Sequence, residues 1–250
     1  MKGARLRSAS IVTAVALLCA PASAHAASDR IAQVVPAVVG RPARIRVTAG
    51  RVVVRGEPRA DISVEVERDV PDGQAPGALP VRIEPEDDAL YVSALQPGDS
   101  RDPALRARVV LAVPIDTAVL VEVGEGECEV SGVRAPLQVK VERGGIRLDR
   151  VSGIVRAETR TGDIQVEQAE LPPEGLLRLR ALSGDVSVRL ASRPRDARVI
   201  LLALSGRVVS SLPLEERGGP GRRIREAVIG TGKALLSVDV VRGDIRLEVP

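Results

Sequence analysis

A short phrase led by glycine recurs along this chain and constrains its fold more than any other feature. Its copies are GECEV (126–130), GGIRL (144–148), GDIQV (162–166), GDVSV (184–188), GRVVS (206–210) and GDIRL (243–247). Most copies place aliphatic residues at alternate positions, which is the two-residue period of a half-buried strand. The leading glycine suits a turn with positive φ, and the aspartate that often follows can bond its own backbone. Each copy therefore predicts a tight turn that enters a β-strand.

The spacing of the copies indicates stacked repeats. From 126 to 206 they begin 18, 18, 22 and 22 residues apart, and a second apolar strand lies between successive copies. A period of roughly 20 residues is typical of solenoids, in which each coil covers the apolar edge of the next. The last step, to Gly243, is 37 residues long and contains the Gly/Arg-rich segment 215–223. One coil is therefore expected to be enlarged there.

The fold class predicted from these patterns is all-β, as a parallel β-helix or β-solenoid. The chain has no Phe and no Trp, and a narrow solenoid interior can be filled by aliphatic rows without aromatic side chains. The alternative is an antiparallel β-sandwich, because strands also recur about every ten residues. The sandwich predicts hairpins between neighbouring strands, whereas the solenoid predicts that Ile146, Ile164 and Val186 stack in one row.

The N-terminus has the pattern of a cleaved Sec-type signal peptide over residues 1–27. Basic residues precede an apolar run from Ile11 to Ala20. Cleavage after Ala24 or after Ala26 would fit the A-x-A rule of signal peptidase sites. Lipidation at Cys19 is the alternative. The apolar run is too short for a membrane anchor and no second one follows, so no transmembrane segment is expected in the mature chain. An extracytoplasmic location is predicted: periplasm, cell surface or medium.

Residues 28–42 are expected to form a transition segment, and 43–250 a single β-solenoid domain with an enlarged loop at 215–223. The net charge of +3 comes from the leader, whose basic residues Lys2, Arg5 and Arg7 are accompanied by no acid. The rest of the chain is neutral, and it lacks the basic stripe and stacking aromatics of a nucleic-acid-binding protein. No nucleic-acid partner is expected.

The chain resembles bacterial adhesin-like families built on G-D-I/V-x-V repeats, namely the DUF4097 type and the related head-GIN domain. The resemblance rests on TAGRVVVRGEPRADISVEVER (48–68), VPIDTAVLVEVGEGECEVSGV (113–133), SGDVSV (183–188) and RGDIRLEV (242–249), and it covers residues 43–250. It implies a right-handed parallel β-helix on the cell envelope. The families supply no catalytic residues to transfer.

An aspartate column is the most serious candidate for chemistry. Asp163, Asp185 and Asp244 would align about 4.8 Å apart in successive coils. Such a column could bind Ca²⁺ or serve a carbohydrate-active enzyme, with outward arginines as its partners. Gly145 and Arg207 occupy the equivalent slots and interrupt the column, so a turn-capping role is favoured.

Other motifs favour structural interpretations. The triplet Arg242–Asp244 spells RGD but belongs to the repeat, and 230–233 (GTGK) lacks the spacing of a phosphate loop. Cys128 is predicted to face the core. The acidic turn 84–88 is expected to be solvated. His25 is the only histidine and falls in the leader, which excludes a Ser-His-Asp triad.

Charged residues of both signs occupy the predicted outward positions. They are Lys140, Glu142, Arg147, Arg156, Glu158, Arg178, Arg180, Arg189 and Arg246. These residues could pair across strands or could form a surface that contacts a polymer, although the missing aromatics weaken sugar binding.

The predicted function is a non-catalytic, adhesin-like structural or interaction module of the envelope. Its expected partner is an envelope protein or polysaccharide. No catalytic, cofactor-binding or metal-binding residue is assigned and no cofactor is expected. The alternative is a β-helix carbohydrate-active enzyme that uses the turn aspartates, and a sensor domain of an envelope-stress system is a third option.

Overall fold

The computed structural model describes residues 29–69, 76–98, 102–217 and 223–250, so the predicted signal peptide lies outside the described part. The strands are β1 (Asp29–Pro36), β2 (Ala43–Glu57), β3 (Asp61–Asp69), β4 (Val81–Pro85), β5 (Leu90–Ala94), β6 (Arg106–Pro114), β7 (Val119–Ser131), β8 (Leu137–Arg143), β9 (Ile146–Asp149), β10 (Ile154–Thr161), β11 (Ile164–Ala169), β12 (Leu176–Ser183), β13 (Val186–Leu190), β14 (Ala197–Ser205), β15 (Val208–Ser210), β16 (Glu215–Arg217), β17 (Arg223–Ile229), β18 (Ala234–Arg242) and β19 (Ile245–Glu248). A single 3-10 turn (Pro76–Ala78) is the only helical segment in the described residues, and none of those residues forms a helix able to cross a membrane.

The strands stack into two long sheets that meet at a corner. The first sheet has the order β4, β5, β2, β7, β8, β10, β12, β18, β14, β17, β16. The second has the order β1, β3, β6, β2, β7, β9, β11, β13, β19, β15. Strands β2 and β7 run through the corner and belong to both. Short turns close a third side, where the backbone N–H of Ser152 donates to Val133 and that of Glu170 donates to Val151.

The predicted aliphatic rows are confirmed. Ile164 lies in register between Ile146 and Val186 on parallel strands, and all three side chains are buried. Cys128 lies in the same row next to Ile146, with its thiol in the core as predicted. Because consecutive repeats pair in parallel and not as hairpins, the β-solenoid prediction is confirmed and the antiparallel sandwich is wrong.

The order of the coils differs from the order of the sequence at both ends of the stack. The repeat at Gly206 does not lie directly on the repeat at Gly184, because β18 and β19 pair with β12 and β13 on one side and with β14 and β15 on the other. At the other end, β2 lies between β7 and the later strands β5 and β6. Strand β2 and the C-terminal coil of β18 and β19 are thus each flanked on their outer side by strands that lie closer to the middle of the sequence.

Antiparallel strands cover both ends of the stack. Segment 28–42, expected as a transition, contains β1, which pairs with β3, and β3 pairs in turn with β6. The insertion at 215–223 supplies β16 and the start of β17, which cover β14, while its residues 218–222 lie outside the described part. These added strands satisfy backbone groups that a bare terminal coil would leave open.

Glycine is required where the two sheets meet. Gly144 has φ of 136°, and a β-carbon built on it would lie 1.7 Å from the carbonyl oxygen of Gly126 in the preceding coil. The same contact links the leading glycines in the spatial order 50, 126, 144, 162, 184, 243 and 206. Backbones therefore approach so closely at this corner that no side chain fits, which explains the first residue of each repeat.

Candidate interaction surface

The aspartates of the repeat hold neighbouring coils together at the corner. The side chain of Asp163 accepts from the backbone N–H of Asp185 at 2.8 Å, and Asp185 accepts from the N–H of Asp244 at 2.8 Å. Asp244 in turn accepts from the N–H of Arg207 at 2.8 Å. Each carboxylate bonds the next coil and not its own turn, which corrects the local interaction expected from sequence.

The aspartate column is also continuous, because the C-terminal coil places Asp244 between Asp185 and Arg207. The expected interruption at Arg207 is therefore wrong: Asp163, Asp185 and Asp244 lie in three successive coils, and Arg207 lies beyond them. Arg207 donates from its backbone N–H and its guanidinium to Asp244, and these bonds hold the pKa of Asp244 below its ordinary value. The triplet Arg242–Asp244 accordingly belongs to the corner.

The other sequence motifs have local structural roles. The turn at 230–233 is bound by Asp196, which accepts from the hydroxyl of Thr231 at 2.7 Å and from the N–H of Lys233 at 3.0 Å. These bonds lower the pKa of Asp196.

Burial raises the pKa of the Cys128 thiol above its ordinary value, which disfavours the reactive thiolate. In the acidic turn between β4 and β5, Asp88 accepts from the hydroxyl of Tyr91 at 2.8 Å.

Within the ranges described, no three His, Cys, Asp or Glu side chains are grouped closely enough to hold a metal ion. A groove of about 760 Å³ follows the corner beside Gly50 and Gly126. Several of its charged side chains are already paired: Glu125 bonds Arg143 at 2.9 Å and Arg106 at 3.4 Å. Side chains occupied in this way are poorly placed to recognise an outside molecule.

The outer face of the second sheet carries a network of ion pairs, and we call this surface the bridged face (outward side chains of β7, β9, β11, β13 and β19). Arg189 lies between Glu167 and Glu248, at 2.9 Å from each. Arg147 bonds Glu129 at 3.3 Å in the adjacent coil. Because these pairs run across strands, they connect successive coils of the solenoid.

The outer face of the first sheet is different, and we call it the open face (outward side chains of β8, β10, β12, β18 and β14). Its first three strands present five cations and two acids; the cations are Lys140, Arg156, Arg160, Arg178 and Arg180 and the acids are Glu142 and Glu158. Among the described residues, none of these five cations makes a hydrogen bond or ion pair. Arg156 and Arg178 are direct cross-strand neighbours of like charge.

Beside the cations, the open face becomes apolar. Leu182 and Leu204 are 42% and 48% exposed, and with Leu202 and Val241 they line a groove of about 550 Å³. Arg160, Arg180, Glu158 and Asp239 line the rest of it. The open face thus combines cations that make no ion pair with exposed leucines on one sheet surface, although Glu158 is the cross-strand neighbour of Lys140 and Arg180, and Asp239 that of Arg180.

Sequence reasoning placed most of these cations at outward positions but did not divide them between two surfaces. It missed the exposed leucines, although the run VILLAL (199–204) in β14 was a signal. A strand with aliphatic residues at every position has an apolar side chain on both faces, and only one face can be the solenoid core. Val199, Leu201 and Ala203 occupy that core, so Ile200, Leu202 and Leu204 lie outside it.

A model of the family described as Toastrack DUF4097 matches residues 118–248, slightly more than half of the chain. The protein belongs to this family. The matched region begins at the end of the connection into β7 and ends in the last strand, so it contains the whole open face. No curated protein sequence is similar enough to this chain to serve as a relative.

Solved structures that are similar to this chain extend the comparison beyond the matched region. A candidate cell adhesion protein from Clostridium sporogenes is 12% identical, with 89% of this chain and 100% of that chain covered at a TM-score of 0.51. A candidate adhesin from Bacteroides fragilis is 13% identical over 88% of this chain and 97% of its own, at a TM-score of 0.30. At 12% identity the first similarity establishes a shared fold alone.

Proposed function

We propose that this Toastrack protein is a non-catalytic, adhesin-like interaction module of the bacterial envelope that binds an acidic envelope component through its open face. The observation that carries the proposal is the contrast between the two outer faces. On the bridged face Arg147 and Arg189 bond carboxylates of adjacent coils, whereas the five cations of the open face make no ion pair among the described residues. Phosphate and carboxylate groups are the chemistry that arginine recognises best.

The corner aspartates support a non-catalytic role. Asp163, Asp185 and Asp244 each accept a backbone hydrogen bond from the adjacent coil, so they serve the framework. A glycosidase instead needs two carboxyl groups in distinct environments across a substrate cleft. The export signal expected in residues 1–27 supports an extracytoplasmic location.

Binding to envelope fractions of the producing organism tests the proposal. The double variant Arg156→Glu/Arg178→Glu is expected to lose salt-sensitive binding, and Arg147→Glu/Arg189→Glu on the bridged face is the matched control. Equal binding by both variants would contradict an open-face site. Turnover of an envelope polysaccharide by the purified protein, lost on Asp185→Ala, would overturn the non-catalytic assignment.

A further inference from the structure

The exposed leucines of the open face share one groove with two of its five cations. Leu182 and Leu204 project from β12 and β14 on either side of β18, and Arg160 and Arg180 line the same groove. A partner that lies flat against this sheet therefore meets apolar surface and positive charge together. An acidic polysaccharide would satisfy the arginines but would leave the leucines against a hydrated chain.

An anionic lipid surface offers both kinds of contact. Its head groups carry phosphate, and the boundary beneath them accepts leucine side chains. Long arginine and lysine side chains can hold their charges at head-group level while their methylene stems lie against apolar surface. This distribution matches the arrangement of the leucines and cations on the open face.

A second copy of the protein is a poorer match for the same surface. Packing two open faces together would bring Lys140, Arg156, Arg160, Arg178 and Arg180 of each copy into one interface. The acids of these strands and of β18 are Glu142, Glu158 and Asp239, fewer than the cations. Like charges gathered in this way oppose association.

We propose that the open face docks the protein peripherally on an anionic lipid surface. Leu182 and Leu204 enter the boundary between head groups and acyl chains, and the five cations bind the phosphates around them. This inference rests on the proposed function, since it assigns a chemical class to the acidic component. Binding is expected to weaken as salt rises, because exposed charges are screened.

Co-sedimentation with phosphatidylcholine vesicles, with and without phosphatidylglycerol, tests the inference. The protein is expressed from its full chain, and its N-terminus is checked by mass spectrometry, so that every variant carries the same leader product. Preference for phosphatidylglycerol vesicles is expected. Arg156→Gln/Arg178→Gln should weaken partitioning roughly fivefold per cation, and Leu182→Ser/Leu204→Ser should weaken it on the order of tenfold.

The bridged-face variant Arg147→Gln/Arg189→Gln is the control and should partition like the native protein, while circular dichroism checks that each variant folds. Charge-dependent binding to soluble alginate, without binding to phosphatidylglycerol vesicles, would overturn the lipid assignment and leave the proposed function standing. If Leu182→Ser/Leu204→Ser converted a dimer to a monomer, the open face would be a dimer interface and the lipid assignment would be overturned. Failure to bind any anionic polymer or vesicle would overturn both proposals.

Discussion

The two outer faces of this solenoid are made from the same kinds of residue and differ in what those residues contact. On the bridged face, Arg189 has a carboxylate on each side, at 2.9 Å in both directions. On the open face, Arg178 has Arg156 as its cross-strand neighbour and makes no ion pair within the described chain. Ion pairs link successive coils on the bridged face, whereas the five cations of the open face make none among the described residues.

This difference separates the residues that stabilise the solenoid from those that are free for binding. Exposed ion pairs contribute little one at a time, but those on the bridged face run from coil to coil. The open-face cations give the fold no such contact. The effects of substitution should therefore divide along the corner that joins the two faces.

The largest effect is expected at that corner. Gly144→Ala puts a β-carbon against the carbonyl of Gly126 and forces alanine into a φ reserved for glycine, which should cost at least about 3 kcal/mol of unfolding free energy. Gly145→Ala is the adjacent control, because the nearest atom is 3.7 Å away. Chemical denaturation measures both, and similar losses would show that the corner does not need glycine.

The next effect distinguishes the two sides of the strand beneath the bridged face. Val166→Asp buries an unpaired carboxylate and should cost about 3–5 kcal/mol. Gln165→Lys, at the neighbouring outward position, should change stability by less than about 0.5 kcal/mol. The measurement is again the unfolding free energy. Equal costs at the two positions would contradict the alternation of inward and outward side chains.

A smaller effect compares the faces directly. Arg189→Glu removes two ion pairs and places three carboxylates in a row, so the melting temperature should fall by about 1–3 °C. Arg178→Glu removes a like-charge contact with Arg156 and should leave the melting temperature unchanged or slightly higher. Calorimetry at low salt measures both. A loss of stability in Arg178→Glu as large as that in Arg189→Glu would remove the distinction between the faces.

The smallest effect expected is on the pH dependence of stability, through Asp244. Because the folded-state pKa of Asp244 is lowered, its stabilising contribution is present above the ordinary carboxyl pKa of about 4 and is lost as the pH falls through the folded value. Asp244→Asn should therefore melt lower than the native protein at neutral pH, and the difference should shrink below about pH 4. A difference that is independent of pH would show that ionised Asp244 does not stabilise the corner.

Much of the fold could be predicted because it depends on patterns between residues that are close together in the sequence. Alternation in the repeats placed Ile146, Ile164 and Val186 in the core, and the burial of Cys128 followed from the same period. The coil order could not be predicted in this way. Both repeats carry the leading glycine, and their difference at Arg207 and Asp244 acts through hydrogen bonds between neighbouring coils, so it does not by itself show which repeat lies against Gly184.

The candidate surface was only partly predictable for a related reason. The outward cations are visible in the sequence, but whether Arg189 or Arg178 has a carboxylate beside it depends on strands up to 59 residues away. The exposed leucines were signalled by the aliphatic run in β14. Their position beside the cations of β12 depends on the insertion of β18 between those two strands.

The sequence by itself determined the strand period, the glycine corners and the aliphatic rows, because backbone sterics and side-chain alternation act between residues close along the chain. Only the tertiary structure decided that the C-terminal coil completes the aspartate column and that one outer face is bridged while the other is open. Those features depend on which coils become neighbours. That choice is made by the packing of the whole stack and not by any single repeat.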